Sequence, residues 1–148
     1  MKRILVGVDG SEVATGALKF AAAIARATGA EMLLGCSIEP LLFYGADATG
    51  QIVAAQYETA SATAKRTLAE ATALLAGEGI VPKTVVMEGP AADALAELAK
   101  EGVDLCVVGH RSRGAVARVM LGSVADRLVQ ICPCPVLVFR HVNSRGAA

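Results

Sequence analysis

The residues best placed to do chemistry in this chain form two short groups. The first is Gly109-His110-Arg111-Ser112-Arg113-Gly114, and the second is Gly122-Ser123-Val124. An apolar run, Asp104-Leu105-Cys106-Val107-Val108, leads into the first group, and a helical pattern follows the second. Glycine lets the backbone approach a ligand closely, and a helix N-terminus presents free N–H groups to an anion. Two arginines add positive charge. The chemistry implied is phosphate binding. Gly122-Ser123 also reads as a plain helix start with Ser123 as N-cap, and a cap residue can face an anion as well. Arg111 and Arg113 read either as phosphate contacts or as solvated charges. His110 reads as a loop residue rather than a catalytic base, and His141 as inert.

Other chemistries find little support. There is no G-x-x-x-x-G-K-[ST] loop, no Ser-Gly-Gly turn after the first strand and no acid cluster for two metals. No nucleophile elbow or Ser-His-Asp set is apparent. Cys36 and Cys106 sit in apolar runs, where a reduced thiol acts as a small hydrophobe. Cys132-Pro133-Cys134 lacks the second ligand pair of a zinc site. All four cysteines are read as structural thiols of a reducing compartment.

Alternating strands and helices must position these groups. Ile4 to Val8 is an apolar run ended by Asp9-Gly10. Ser11 can cap a helix from Glu12 to Thr28, with Gly29 as its stop. A second strand runs from Glu31 to Ile38. Residues 39–56 lack a clean period and read as a loop, after which Tyr57 to Ala76 reads as a long helix. Lys83 to Glu88 is a third strand. Gly89-Pro90 opens a helix to about Lys100, with Pro90 suited to its first turn. Asp104 to Gly109, Ser123 to Ile131 and Pro135 to Arg140 complete the series as strand, helix and strand. Residues 1–142 read as one domain and 143–148 as a frayed tail.

This alternation predicts an α/β fold, a parallel sheet with helices on both faces. Near-continuous apolar strands fit a sheet covered twice. Ligands of such folds sit beyond the carboxyl ends of the strands, where the strand order reverses. Asp9, Ser37 and Gly109 all fall at those ends.

Composition narrows the classes further. The chain has 148 residues, enough for one domain with a full core. Apolar residues make up 54% and charged residues 19%, which argues against disorder. Formal net charge is zero, so no global field attracts nucleic acid or an anionic membrane. Aromatic residues are 3%, too few for base-stacking platforms. The apolar start ends at Asp9, too soon for a secretory segment, and residues 14–27 are too short and too charged to span a bilayer. The expected location is the cytoplasm.

The order and spacing of several blocks resemble the universal stress protein family across almost the whole chain. The blocks are Ile4-Leu5-Val6-Gly7-Val8-Asp9-Gly10-Ser11, Asp104 to Gly109, Leu121-Gly122-Ser123-Val124-Ala125 and Cys134-Pro135-Val136-Leu137-Val138. From Gly109, two residues precede Ser112, and nine more precede Gly122-Ser123. The family's nucleotide-binding pattern is Gly, two residues, Gly, nine residues, then Gly and Ser or Thr. Ser112 stands where ATP-binding members carry their second Gly. A side chain at positive φ costs roughly 1 kcal/mol or more, and a hydroxyl bond to phosphate returns a similar amount.

The resemblance implies a Rossmann-like, open five-stranded parallel sheet of order 3-2-1-4-5. It implies ATP, ADP or AMP as ligand, with Mg²⁺ or Mn²⁺ accompanying a triphosphate. The implied contacts are Val8, Asp9, Ser37, Gly109, Arg111, Ser112, Arg113, Gly114, Gly122, Ser123 and Val124. Asp9 would meet the ribose, though Asp-Gly-Ser is also ordinary turn chemistry. The backbone near Ser37 would meet adenine. A homodimer through Pro135 to Arg140 is also implied, and an apolar edge strand gives a physical reason for it. The expected role is a sensor or switch in a stress response, in which ligand reshapes residues 40–56 or the dimer surface and alters binding of an unknown protein partner. Hydrolysis of ATP would be slow at most. The alternative is a member that binds no nucleotide and acts through protein contacts.

Overall fold

The computed structural model describes residues 1–38, 50–110 and 121–141. Along the chain these are β1 (Arg3–Gly7), α1 (Glu12–Thr28), β2 (Glu31–Ile38), α2 (Gly50–Ala76), β3 (Lys83–Glu88), α3 (Ala91–Ala99), β4 (Leu105–Gly109), α4 (Ser123–Ile131) and β5 (Val136–Phe139). The sheet order is β3-β2-β1-β4-β5, and every pairing is parallel. This is the α/β fold and the strand order expected.

Strand side chains alternate between two cores, as a pleated strand requires. Ile4 and Val6 face α1 and α2, where Ala17, Leu18, Ala21, Ala64, Leu68 and Leu75 are buried. Leu5 and Cys106 face α3 and α4, where Leu95, Ala96, Ala125 and Leu128 are buried. The buried stripe of α1, Ala14, Ala17, Leu18, Ala21, Ala22 and Ala25, repeats with helical period. Small residues there bring the helix close to the sheet. Gly16 shows how close: a Cβ would lie 2.5 Å from the Phe139 ring of β5.

Local signals set most boundaries. The Ser11 hydroxyl accepts from the Ala14 N–H at 3.2 Å and caps α1. Gly29 ends α1 at φ 73°, a left-handed stop that glycine takes without strain. Five expectations shift. β1 spans Arg3–Gly7, which leaves Val8 just past its end, and β5 is Val136–Phe139, shorter than Pro135 to Arg140. Pro90 is the N-cap of α3 rather than a residue of its first turn. Helix α2 begins at Gly50, so 50–56 are not loop. The described side chains of 50–55 are exposed, and exposed turns carry no apolar period to read. Elongating an existing helix adds one hydrogen bond per residue fixed, and alanine and glutamine favour it. Likewise Ser123 is not the cap of α4. Gly122 is, and as glycine it brings no side-chain cap to the open N–H groups there.

The amino end of the sheet is closed by charge. Glu31 pairs with Arg3 at 3.0 Å and with Lys83 at 2.7 Å. The Asp104 carboxylate accepts from the Lys2 and Arg3 N–H groups at 2.6 and 3.0 Å. The Lys83 and Arg3 partners hold the Glu31 carboxyl below its usual range, and the two backbone donors do the same for Asp104.

Candidate functional site

At the carboxyl end the sheet opens into a cleft of about 410 Å³. Strand β1 is flanked by β2 on one side and β4 on the other, and the chain crosses between these sides from β3 to β4. The cleft therefore lies at the switch point of the sheet, where open α/β folds bind ligands. Its volume falls in the range of small-molecule sites.

Two aligned glycines help to make this space. Gly7 and Gly35 are register partners, in the row that Leu5 and Leu33 begin. A Cβ at Gly7 would lie 2.9 Å from Leu95 Cδ1, and one at Gly35 would lie 2.9 Å from Met87 Cε. Leu95 and Met87 thus fold over bare backbone and form an apolar part of the wall.

The opposite wall is α2. Ala60, Thr63, Ala64 and Thr67 line the cleft at spacings of three, one and three residues, one face of a helix. The sequence reading missed these four, although their small side chains at helical spacing were visible in it. It also missed Met87 and Leu95, whose approach depends on how α3 packs. Tyr57 fixes α2 against the sheet: its hydroxyl donates to the Glu88 carboxylate at the end of β3.

Asp9 lines the cleft, and its Oδ1 accepts from the Ser11 N–H at 2.9 Å. The carboxylate thus shapes the β1–α1 turn, with Gly10 at φ 81°. Asp9 is thus a turn residue, as one expected reading had it, and it also lines the cleft. Ser37 also lines the cleft, and its hydroxyl donates to the Gly89 carbonyl, tying β2 to the turn before α3. Cys36 contributes a neutral thiol to the wall, because burial and then the Asp9 charge push its pKa up. Val8, Gly109 and Val124 are lining residues as well. Gly109 has a packing reason for being glycine. A Cβ there would lie 2.7 Å from Val13 Cγ1 and 3.1 Å from the Ala14 nitrogen, so the first turn of α1 occupies the space. Gly122 and Ser123 are not among the lining residues, although they adjoin Val124. Arg111, Ser112, Arg113 and Gly114 lie outside the described residues.

Helix ends supply the local field. In a parallel α/β fold each helix begins at the carboxyl end of the preceding strand. Ser11 before α1, Ala91 of α3 and Val124 of α4 all line the cleft. The first N–H groups of a helix carry partial positive charge. Those of α1 are partly satisfied by Ser11. Neither α3 nor α4 has a side-chain cap. Two uncapped helix starts beside one cleft suit an anionic group. Among the described lining residues there is no lysine or arginine. No group of three His, Cys, Asp or Glu residues is arranged to hold a metal among the described residues. No described helix is long and apolar enough to cross a membrane.

Fold and site together define an open, doubly wound α/β protein with a ligand cleft at its switch point. Comparison with known proteins makes the class specific. The Universal stress protein family pattern matches residues 1–140, and the chain belongs to that family. A universal stress protein of Thermus aquaticus is 36% identical over 143 residues, covering 94% of this chain and 98% of its own. The structure of universal stress protein UspA from Lactobacillus plantarum is 26% identical with a TM-score of 0.81, covering 94% of this chain and 97% of its own. A universal stress protein solved in complex with cAMP is 26% identical with a TM-score of 0.71, covering 96% and 98%.

Proposed function

We propose that this chain binds an adenine nucleotide in the switch-point cleft and acts as a ligand-dependent switch in a stress response. The observation that carries the reading is the convergence of the uncapped starts of α3 and α4 on a cleft otherwise walled by small and apolar residues. An apolar wall suits a purine ring, and open N–H groups suit phosphate. The cAMP complex of a relative supports the nucleotide class. Within that class we propose ATP, with ADP and AMP as other occupants. Arg111, Arg113 and the Ser112 hydroxyl would add phosphate contacts, Gly114 close backbone approach, and Gly122, Ser123 and Val124 the helix start. Asp9 would accept from the ribose. Mg²⁺ or Mn²⁺ would arrive with the triphosphate rather than be held by a protein site of its own. Occupancy would be felt by α2, which forms one wall and is tied to β3 through Tyr57.

The test is calorimetric titration of ATP with Mg²⁺, AMP and cAMP into nucleotide-stripped protein, with Ala60→Phe and Gly122→Val as controls. Ala60→Phe would fill the cleft from α2. Micromolar binding that both substitutions abolish, in folded samples, supports the reading. A folded wild-type protein that binds none of the three overturns it.

A second reading rests on the absence of any lysine or arginine from the described lining. If Arg111 and Arg113 do not face the cleft, a member acting through protein contacts alone fits better. The Arg111→Ala, Arg113→Ala double variant separates the two. Nucleotide affinity that falls at least tenfold supports phosphate contact, at roughly 1.4 kcal/mol per tenfold.

We also propose a homodimer through β5. It is an edge strand, its four residues are half-buried, and Phe20 beside Phe139 is 47% exposed. Sedimentation of wild type against Val138→Pro, which removes an edge donor, tests the pairing.

A further inference from the structure

Three of the four cysteines gather at the amino ends of β4 and β5, the end of the sheet opposite the cleft. Cys106 is the second residue of β4 and fully buried. Cys132 is the C-cap of α4, and its N–H donates to the Leu128 carbonyl at 2.8 Å. Cys134 stands between Pro133 and Pro135, two residues before β5 begins. The Cys106 N–H donates to the Pro135 carbonyl at 2.9 Å and holds this turn against β4. Cys132 Sγ and Cys134 Sγ are 3.5 Å apart, in direct contact. Both are free and half-buried, and both pack on the core that contains Cys106.

The contact is built into the fold. Proline locks φ, so Pro133 and Pro135 restrict the turn that carries the two thiols. The helix cap fixes one end of it and the bond from Cys106 fixes the other. No described group of three ligands can hold a metal here. A pair of touching thiols that is not part of a metal site has one other common chemistry, which is oxidation to a disulfide.

We propose that Cys132 and Cys134 form a reversible disulfide by exchange with a low-molecular-weight disulfide. One of the two, as thiolate, attacks one sulfur of the small disulfide. A mixed disulfide forms and one small thiolate leaves, taking a proton from water. The other thiol then gives its proton to solvent and attacks the protein sulfur of the mixed disulfide. The internal bond forms and the second small thiolate leaves and is protonated. Two protein thiols are oxidised, and one small disulfide is reduced to two thiols. Burial, then Cys132, pushes the Cys134 thiol up to about 11, and burial raises Cys106 further. Cys106 is fully buried and stays out of the exchange. A bond that spans one intervening residue closes a small ring. Strained disulfides are readily reduced, so the pair returns to thiols when the poise shifts.

The experiment uses the full chain, reduced, desalted and incubated with oxidised glutathione. Free thiols are then blocked with iodoacetamide, and the chain is digested with trypsin. Cleavage after Arg127 and Arg140 puts both cysteines in one peptide, 128–140, with Cys106 in another. The expected wild-type result is a 128–140 peptide lighter by two hydrogens and unalkylated, restored by dithiothreitol. Cys106→Ala leaves that result intact. Cys134→Ser stops at a glutathione adduct on Cys132, and Cys132→Ser stops at an adduct on Cys134. A 128–140 peptide alkylated at both thiols overturns the proposal, and so does a disulfide to Cys106 or between two copies. The wild-type peptide mass decides the matter even if a variant fails to fold.

Discussion

The two ends of the sheet are built from opposite materials. At the amino end Arg3, Glu31, Lys83 and Asp104 interlock, and the three-thiol cluster fills the base of β4 and β5. At the carboxyl end Gly7 and Gly35 leave the backbone bare, α2 presents alanines and threonines, and two helix starts lack caps. One end satisfies its polar groups internally and the other leaves space and donors for a ligand. The difference locates the site independently of any motif. Side chains are complete at the amino end, and open space is kept at the carboxyl end.

The comparison is broken most directly by truncating the same residue type at each end. Met32 is 1% exposed in the amino half of β2, and Met87 lines the cleft. Met32→Ala leaves a closed cavity and is expected to cost about 2–5 kcal/mol. Met87→Ala leaves space that merges with the cleft, so its cost should be less than half as large. Urea unfolding of both variants checks this, and equal losses would mean that the carboxyl end is packed as tightly as the amino end.

Gly109→Val comes next. Its Cβ would press on Val13 and on the α1 backbone at Ala14, which cannot swing away as a side-chain tip does. The expected cost is about 1–3 kcal/mol by denaturant unfolding. A neutral result would show that Gly109 is glycine for ligand approach alone. Ser11→Ala removes the cap of α1, the one helix start at the cleft satisfied by its own side chain, and should cost about 1 kcal/mol. The same substitution frees an N–H group at the cleft, so its effect on nucleotide affinity should be smaller than its effect on stability.

The smallest effect is an acid dependence confined to the amino end. Glu31 and Asp104 have folded pKa values below the ordinary 4.5 and 3.8. In that window the unfolded chain binds more protons than the folded one, so stability rises with pH. Their contribution is present above about pH 4.5 and is lost as the pH falls through the lowered values. Thermal unfolding between pH 3 and 6 should show a shallower acid slope in Asp104→Asn than in wild type, since exposed pairs contribute modestly. An unchanged slope would place the acid sensitivity elsewhere.

Much of the fold was legible because its signals are local. Strand runs, the Ser11 cap, the Gly29 stop and the Asp9-Gly10-Ser11 turn depend on near neighbours in sequence. The first turns of α2 were not legible, because their exposed side chains carry no period. Part of the site was legible for the same reason. Asp9, Ser37 and Gly109 could be placed because they fall at the carboxyl ends of apolar strands. Ala60, Thr63, Ala64 and Thr67 could not, because their role depends on which way α2 faces the sheet.

By itself, the sequence determined the strand and helix succession, the parallel α/β class and the end of the sheet where a ligand would sit. Apolar periodicity and turn chemistry act over a few residues and suffice for that. Only the tertiary structure decided what Gly7, Gly35 and Gly109 are for, which face of α2 walls the cleft and that Cys132 touches Cys134. Each of these depends on how one segment is held against another, and those arrangements exist only once the two cores have closed on the sheet.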